Sequence, residues 1–222
     1  MLYSPAPLHI PDGFLSLVIS LIFWVITIIT VGIAISKTNK SLGEKQVPLM
    51  GIMAAFIFAA QMLNFPVAGG TSGHFLGGAL AAIVLGPWAG ILVMTAVIAV
   101  QGLLFQDGGL LALGANVFNM AVIGVLVGWV VYTTLRRFLG ERTWAMMVSG
   151  FAAAWLSVFV ASLVAAVELA ISGASALGVV LPAMAGVHAL IGIGEGMITV
   201  GVLAFLQAAR PDLLALRQPS EA

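Results

Sequence analysis

Positively charged side chains occur in only three short segments of this chain, and long apolar runs separate those segments. The eight Lys and Arg residues among the 222 positions are Lys37, Lys40, Lys45, Arg136, Arg137, Arg142, Arg210 and Arg217. Cytoplasmic loops of membrane proteins are enriched in Lys and Arg. Basic residues that occupy every second gap between apolar runs therefore predict a polytopic membrane protein whose basic gaps lie in the cytoplasm.

The composition favours the same class of protein and excludes others. Hydrophobic residues make up 62% of the chain and charged residues 7%, so most of the chain has no polar face to present to water. The formal net charge of zero argues against a nucleic-acid partner, which needs a basic patch. Because the chain has no cysteine, it has no disulfide, no thiolate metal site and no cysteine nucleophile.

Seven apolar runs are candidate membrane helices, judged against the roughly 20 residues that a helix needs to cross hydrocarbon. Their predicted bounds are Leu15–Ser36, Val47–Leu63, His74–Leu85, Trp88–Phe105, Asn116–Leu135, Thr143–Ser172 and Leu181–Ala208. The third is too short to cross alone, since it rises only about 18 Å. We therefore expect the preceding segment, Asn64–Gly73, to dip into the protein, where backbone is shielded from lipid. The predicted fold is all-α.

The basic loops also predict an orientation for these seven crossings. With the first basic loop inside, the N-terminus lies outside together with three further loops: residues 64–73, 107–115 and 173–180. The second basic loop (136–142) and the tail (210–222) lie in the cytoplasm. We expect one transmembrane domain over residues 9–209, preceded by a short extension, residues 1–8.

Small residues line one face of the second predicted helix. Gly51, Ala55 and Ala59 are spaced four apart, a pattern that lets another helix approach closely. Packing within the chain and contact with an external helical partner are both compatible with this stripe.

Two histidines map to the predicted outer face, His9 at its start and His74 at the end of a glycine-rich segment. Imidazole suits nickel, copper, cobalt and zinc, and a chain without cysteine must bind such metals through nitrogen or oxygen. Either histidine alone is also compatible with a hydrogen-bonded structural role. Their assignment to one face makes the pair a candidate metal site.

Other polar residues fall inside the predicted helices, where an unpaired ionisable group is costly. His188 and Glu195 lie seven apart and so share a helix face. We expect them to form a polar network with three amide side chains: Gln101, Asn116 and Asn119. The role of Glu168 stays open, and Asp107 is interpreted as a turn residue.

Five blocks of sequence carry a family resemblance. They are His9–Leu15, Asn64–Val67 with Gly69–His74, Gly77–Leu80 with Gly86–Gly90, Asp107–Gly109 with Leu113–Met120, and His188–Glu195. In these blocks the chain resembles the cobalt/nickel CbiM/NikM family, the substrate-binding S components of energy-coupling factor transporters. The resemblance runs from His9 to about Ala208.

The resemblance implies seven transmembrane helices, with one extra helix at the N-terminus, and one nickel or cobalt ion bound near the outer side. The implied ligands are the N-terminal amine, the backbone nitrogen and imidazole of the next residue, here His9, and the imidazole of His74. Four nitrogens in a plane favour nickel(II), and cobalt(II) can use the same ligands. An amine ligand must lose its proton, so binding is expected to weaken in acid.

The N-terminus departs from the family pattern. The family histidine is residue two, whereas eight residues precede His9 here, so that Leu8 as written offers an ordinary peptide nitrogen. Translation from a leucine codon at Leu8, which we favour, or proteolytic removal of Met1–Pro7 would create the amine. A retained extension would alter the metal site or abolish it.

The resemblance also implies partners in a bacterial inner membrane. These are a transmembrane T component, two ABC ATPase subunits and a small accessory membrane subunit. The chain contains no Walker-type phosphate-binding motif, so it is not expected to be an enzyme, and it needs no permanent cofactor. The stripe of Gly51, Ala55 and Ala59 becomes the predicted contact with the T component.

Two alternative functions fit the sequence less well than metal uptake. An intramembrane hydrolase using His188 and Glu195 lacks a recognisable Ser or Cys nucleophile motif and a His-Glu-x-x-His helix. A haem-bearing electron carrier needs histidine pairs that face each other across helices, and His9 lies outside every predicted helix.

Overall fold

A computed structural model of the chain describes residues 9–41, 43, 46–62, 64–67 and 71–215. Some of the expectations above concern other positions. The extension 1–8 with its Leu8 amine, and the residues Lys45, Gly69, Gly70 and Arg217, lie outside the described residues.

Helices make up most of the described chain. They are α1 (Leu17–Ser41), α2 (Gln46–Gln61), α3 (Gly78–Leu85), α4 (Pro87–Leu104), α5 (Leu113–Val117), the π-helical segment π1 (Phe118–Ile123), α6 (Gly124–Leu139), α7 (Thr143–Ile171), α8 (Leu177–Ala209) and α9 (Pro211–Ala215). Between α2 and α3 the chain forms an antiparallel hairpin of two four-residue strands, β1 (Asn64–Val67) and β2 (Thr71–His74).

Five helical stretches of the described residues are long and apolar enough to cross a membrane. They are Leu17–Lys40, Pro87–Leu104, Leu113–Leu139, Thr143–Ile171 and Leu177–Ala209. The predicted multi-pass membrane protein is therefore confirmed. By contrast, α2 and α3 are short, with rises of about 24 and about 12 Å. The count of seven crossings and the sides on which the two termini lie remain predictions.

The predicted start of the third helix at His74 is wrong. His74 ends strand β2, and α3 begins only at Gly78. The residue before that helix, Gly77, has φ of +82°, a left-handed conformation through which a right-handed helix cannot continue. His74 thus belongs to a strand, and a short non-helical segment separates it from α3.

The segment between α2 and α3 also differs from the loop that we predicted there. Strand pairs run from Asn64 opposite His74 to Val67 opposite Thr71. Pairing within the hairpin satisfies backbone N–H and C=O groups that an irregular loop would leave unpaired. This pairing is one physical reason why a non-helical segment can lie beside membrane helices.

Helix α3 is buried on all sides and lies at the centre of the protein, although it has only eight residues. Ala79 to Ala82 have no exposed surface, and α3 packs against α4, α6 and α7. A Cβ atom on Gly128 of α6 would lie 2.6 Å from the Cα atom of Ala79. Small residues at this crossing therefore let the two helices approach closely.

Helix α2 has two different faces. Its buried side chains recur every fourth residue: Leu49, Met53, Ile57 and Gln61. Gly51, Ala55 and Ala59 lie on exposed positions, and a Cβ atom on Gly51 would meet nothing within 4 Å. The interpretation of this stripe as packing within the chain is therefore wrong.

Helix α1 is held against the start of α5. The Thr27 hydroxyl donates a hydrogen bond of 2.8 Å to the Gly114 carbonyl oxygen. A Cβ atom on Gly114 would lie 2.7 Å from the backbone of Trp24, so glycine is needed for this approach. Because α1 directly follows residues 9–16, the contact also brings the N-terminal segment to the α4–α5 loop.

Candidate metal centre

The N-terminal segment is joined to the α4–α5 region by hydrogen bonds to the backbone of Ile10. The Ile10 N–H donates to Asn116 Oδ1, and Asn116 Nδ2 donates to the Ile10 carbonyl oxygen, both at 3.0 Å. The Gly109 N–H donates to the same carbonyl oxygen at 3.0 Å. The Asn116 amide thus satisfies both backbone groups of Ile10, as a neighbouring strand would.

Asp12 makes a second attachment a few residues along. Its carboxylate accepts hydrogen bonds from the backbone N–H groups of Leu110, Leu111 and Ala112, at 3.1, 2.8 and 3.1 Å. A Cβ atom on Gly109 would overlap the Asp12 carboxylate. This contact explains why a glycine occupies that position of the loop.

His9 directly precedes the first of these two attachments and is buried, with 6% of its surface exposed. Its Nδ1 atom lies 3.2 Å from the carbonyl oxygen of Asp107 and 3.5 Å from the Asp107 carboxylate. Gly108, at φ +94°, has room only for hydrogen, since a Cβ atom there would lie 2.8 Å from the His9 Cβ atom. Asp107, which its sequence context indicates only as a turn residue, is thus a partner of His9; the adjacent Gly-Gly pair is the sequence signal of this close approach.

His74 lies next to His9, at the end of β2. The two ring centroids are 5.2 Å apart, and the ring planes are inclined at 77°. The Nδ1 atom of His74 lies 2.8 Å from the Phe75 carbonyl oxygen. Burial and, to a smaller extent, the neighbouring His9 lower the pKa of His74 to about 4. Its imidazole is therefore neutral at physiological pH, the state in which it can bind a metal.

Glu195 of α8 fixes the backbone that follows His74. Its two carboxylate oxygens accept hydrogen bonds from the N–H groups of Leu76 and Gly77, at 2.6 and 2.7 Å. Gln61 of α2 donates to the Leu76 carbonyl oxygen at 2.7 Å. The short segment between β2 and α3 is thus held by side chains from two helices.

The single network predicted around His188 and Glu195 is divided into separate units. Glu195 binds backbone, Asn116 binds Ile10, and Asn119 Nδ2 donates to Glu168 at 2.8 Å. The side-chain nitrogen and oxygen of Gln101 are buried without a hydrogen-bond partner among the described residues. Backbone groups form hydrogen bonds with some of these polar side chains, and helical spacing in the sequence does not predict such contacts.

A cavity of about 110 Å³ joins several of these residues. Its lining includes His9, His74, Asn116, Asn119, Met184 and His188. Among the described residues no three His, Asp or Glu side chains are grouped closely enough to hold one metal ion. His9 and His74 can therefore supply two imidazole nitrogens, and any further donors must be backbone, amine or amide groups.

The three histidines share one hydrogen-bonding arrangement. The Nδ1 atom of each lies within 3.2 Å of a backbone carbonyl oxygen: Asp107 for His9, Phe75 for His74, and Met184 for His188. A carbonyl oxygen only accepts hydrogen bonds, so Nδ1 carries the proton and Nε2 carries the lone pair. Such contacts are typical of imidazoles that bind metals through the opposite nitrogen.

Comparisons with known proteins identify the family of this chain. Residues 9–213 match the family CbiM, described as the cobalt uptake substrate-specific transmembrane region. A candidate fused nickel transport protein, NikMN, of Archaeoglobus fulgidus is 47% identical over 209 residues, covering 93% of this chain and 68% of its own length. A candidate metal transport protein of Haloquadratum walsbyi is 44% identical over 209 residues, covering 93% of both chains.

The fold comparison points the same way. The solved structure of a truncated transition metal transporter has a TM-score of 0.82 and 36% sequence identity, covering 90% of this chain and 98% of that chain. These relatives are metal transport proteins. The chain belongs to the CbiM family of cobalt and nickel transport membrane proteins.

Proposed function

We propose that this protein is the substrate-specific S component of an energy-coupling factor transporter and captures a divalent nickel or cobalt ion at His9 and His74. The observation that carries the proposal is the 5.2 Å separation of the two rings, because they come from segments far apart in sequence. Each segment is fixed by its own set of backbone hydrogen bonds, so the pair is preorganised.

The proposed ligand set combines side-chain and backbone nitrogens. It consists of both imidazoles, the backbone nitrogen of His9 and the amine of Leu8 when Leu8 is the mature N-terminus. When the backbone nitrogen and the ring of one histidine bind the same metal ion, the ring binds it through Nδ1. Since Nδ1 of His9 faces Asp107, this chelate requires the ring to turn away from Asp107. Coordination through Nε2 would leave that contact intact.

Energy for transport is proposed to come from other subunits. These are a transmembrane T component, two ABC ATPases and an accessory membrane subunit, since the chain has no Walker-type motif. The exposed face of α2 at Gly51, Ala55 and Ala59 is a suitable contact for the T component, because it lets a second helix approach closely. The location is the plasma membrane, with seven crossings, the N-terminus outside and the C-terminus inside.

Both nickel and cobalt are retained as cargo. The matched family is described by cobalt uptake, and the Archaeoglobus relative is described by nickel. Neutral imidazoles accept either ion. An enzymatic role for His188 and Glu195 is not favoured, because both oxygens of the Glu195 carboxylate accept hydrogen bonds from backbone N–H groups.

Metal analysis of protein with a defined N-terminus tests the proposal. We expect the chain that begins at position 8 to bind one nickel or cobalt ion and to bind it more tightly than the chain that begins at Met1. His74→Ala should lower affinity in the shorter chain at least tenfold, about the loss expected for a disturbed metal site. Met197→Leu, a change at an exposed position of α8, is the matched control. Full affinity in His74→Ala would refute the site.

A further inference from the structure

The cavity beside the candidate metal centre has a second wall that the proposed function does not use. His9 belongs to the N-terminal segment and His74 to strand β2, whereas His188 and Asn119 belong to α8 and π1. All four side chains line the same cavity. The helical wall therefore brings nitrogen and oxygen atoms into a space that already contains the two candidate ligands.

His188 is arranged to offer a lone pair to this cavity. Its Nδ1 atom donates to the Met184 carbonyl oxygen at 2.9 Å, which leaves Nε2 unprotonated and without a hydrogen-bond partner among the described residues. The side chain is partly buried. A neutral imidazole whose Nδ1–H donates to a backbone carbonyl oxygen presents Nε2 as a possible metal ligand.

Asn119 offers an oxygen donor from the same wall. Its Nδ2 atom donates to Glu168 Oε2 at 2.8 Å, so its Oδ1 atom is directed away from Glu168. That Oδ1 atom is buried and has no hydrogen-bond partner in the described chain. Leaving a buried acceptor unsatisfied is costly, and such atoms call for a functional explanation.

Two features of the surroundings support this donor. Glu168 is 1% exposed, and by accepting the hydrogen bond from Asn119 Nδ2 it orients the Asn119 amide. Asn119 lies in π1, and π-helical turns inside α-helices occur frequently at functional sites because they displace side chains from the regular helical register. Amide oxygen and imidazole nitrogen are both ligands for divalent transition metals.

We infer that His188 and Asn119 form a second cation station in this cavity, which receives the ion from His9 and His74. This inference rests on the proposed function. It describes a stepwise transfer: His74 keeps its bond to the metal while the bond from His9 is replaced by one from His188 Nε2. The exchange moves no electron: His188 binds through Nε2 and keeps the hydrogen on Nδ1, and the His9 nitrogen that lost a proton to bind the ion takes a proton from water when the ion leaves it. A stepwise route fits the absence, in the described part of the chain, of three such side chains around one point.

Binding measurements on the full chain in the His9→Ala background test the second station. We expect His9→Ala to retain weak cobalt(II) and nickel(II) binding, and we expect His9→Ala with His188→Phe to bind at least tenfold more weakly still. Phenylalanine keeps the ring volume and removes both nitrogens. His188→Gln serves as a second variant should the phenylalanine variant fail to fold, and Met197→Leu in the same background is the control.

The outcomes separate the two proposals. Equal affinity of His9→Ala with and without the His188 change would overturn the second station, as would complete loss of binding in His9→Ala while the unmodified chain still binds. Failure of the unmodified chain to bind either metal would overturn the proposed function itself, and the station with it.

Discussion

Ile10 and Asn116 exchange two hydrogen bonds, both of 3.0 Å, across more than a hundred residues of sequence. The amide side chain both accepts from the backbone N–H and donates to the backbone carbonyl oxygen of Ile10. It therefore fixes the backbone directly beside His9 in a way that no other uncharged side chain of similar size can reproduce. The position of the first candidate ligand depends on this pair.

Asn116→Ala is expected to weaken nickel or cobalt binding about tenfold. Two hydrogen bonds of roughly 0.5–1.5 kcal/mol each are lost, and His9 is no longer held at its distance from His74. Isothermal titration of the purified protein measures the effect. Asn39→Ala, which changes an exposed asparagine of α1, should leave affinity unchanged. Unchanged affinity in Asn116→Ala would show that Ile10 is positioned by other contacts.

Gly109→Ala is expected to release the N-terminal segment from the α4–α5 loop. The added Cβ atom would overlap the Asp12 carboxylate, and Asp12 accepts three backbone hydrogen bonds there. We expect metal affinity to fall at least tenfold and proteolysis near residue 10 to become faster. Gly32→Ala is the matched control, because a Cβ atom at that helical position meets nothing within 4 Å. Equal behaviour of the two variants would contradict the argument.

The membrane class and the pairing of His9 with His74 could both be predicted from the sequence. Charge distribution and run length identify apolar helices because the bilayer constrains them directly. The hairpin and the late start of α3 could not be predicted in this way, since they depend on Gly77 being left-handed and on Glu195 reaching it from the last long helix. These are long-range contacts that no local pattern encodes.

For the polar residues, too, some features could be predicted from the sequence and others could not. The Gly-Gly pair after Asp107 predicts only a turn residue at that position, yet Asp107 contacts the ring of His9. His188 and Glu195 share a helix face, as their spacing requires, but each has a different partner. Periodicity predicts which helix face a residue occupies, but it does not predict which backbone group forms a hydrogen bond with its side chain.

Glu195→Gln is expected to destabilise the turn after His74. A carboxylate accepts from both the Leu76 and Gly77 N–H groups, whereas an amide accepts from one and opposes the other with its own N–H group. A donor left unsatisfied in a buried place costs about 1–3 kcal/mol. The unfolding temperature in detergent should therefore fall. Glu141→Gln, which alters an exposed ion pair with Arg136, should change it little; an equal fall in both variants would count against a special role for Glu195.

The protonation of His74 is expected to differ from that of an ordinary histidine. Its pKa is lowered to about 4, so the ring loses its proton at lower pH and is neutral at pH 5.5. The unfolded chain binds that proton near pH 6.5, so this group makes the folded state less stable as pH falls from about 6.5 towards 4. Nitrogen-15 NMR of histidine-labelled, metal-free protein measures both the midpoint and the tautomer, and His74→Gln assigns the signal.

We expect the His74 signal to be that of the neutral tautomer with hydrogen on Nδ1, as its 2.8 Å contact with the Phe75 carbonyl oxygen requires. A midpoint near 6.5, or hydrogen on Nε2, would contradict the geometry. The loss of metal affinity between pH 7 and 5 should then belong to groups other than His74, above all the proposed Leu8 amine.

Bulky substitutions on the exposed face of α2 are expected to separate metal binding from uptake. Ala55→Leu and Ala59→Leu place large side chains where a second helix is proposed to approach, while the buried face of α2 keeps its contacts. Purified variants should bind nickel or cobalt with unchanged affinity, and cells that contain the complete transporter should lose most of their uptake. Ala204→Leu, at an exposed position of α8, controls for bulk on a lipid-facing surface. If uptake in Ala55→Leu and Ala59→Leu equals that of Ala204→Leu, the T component must contact another face of the protein.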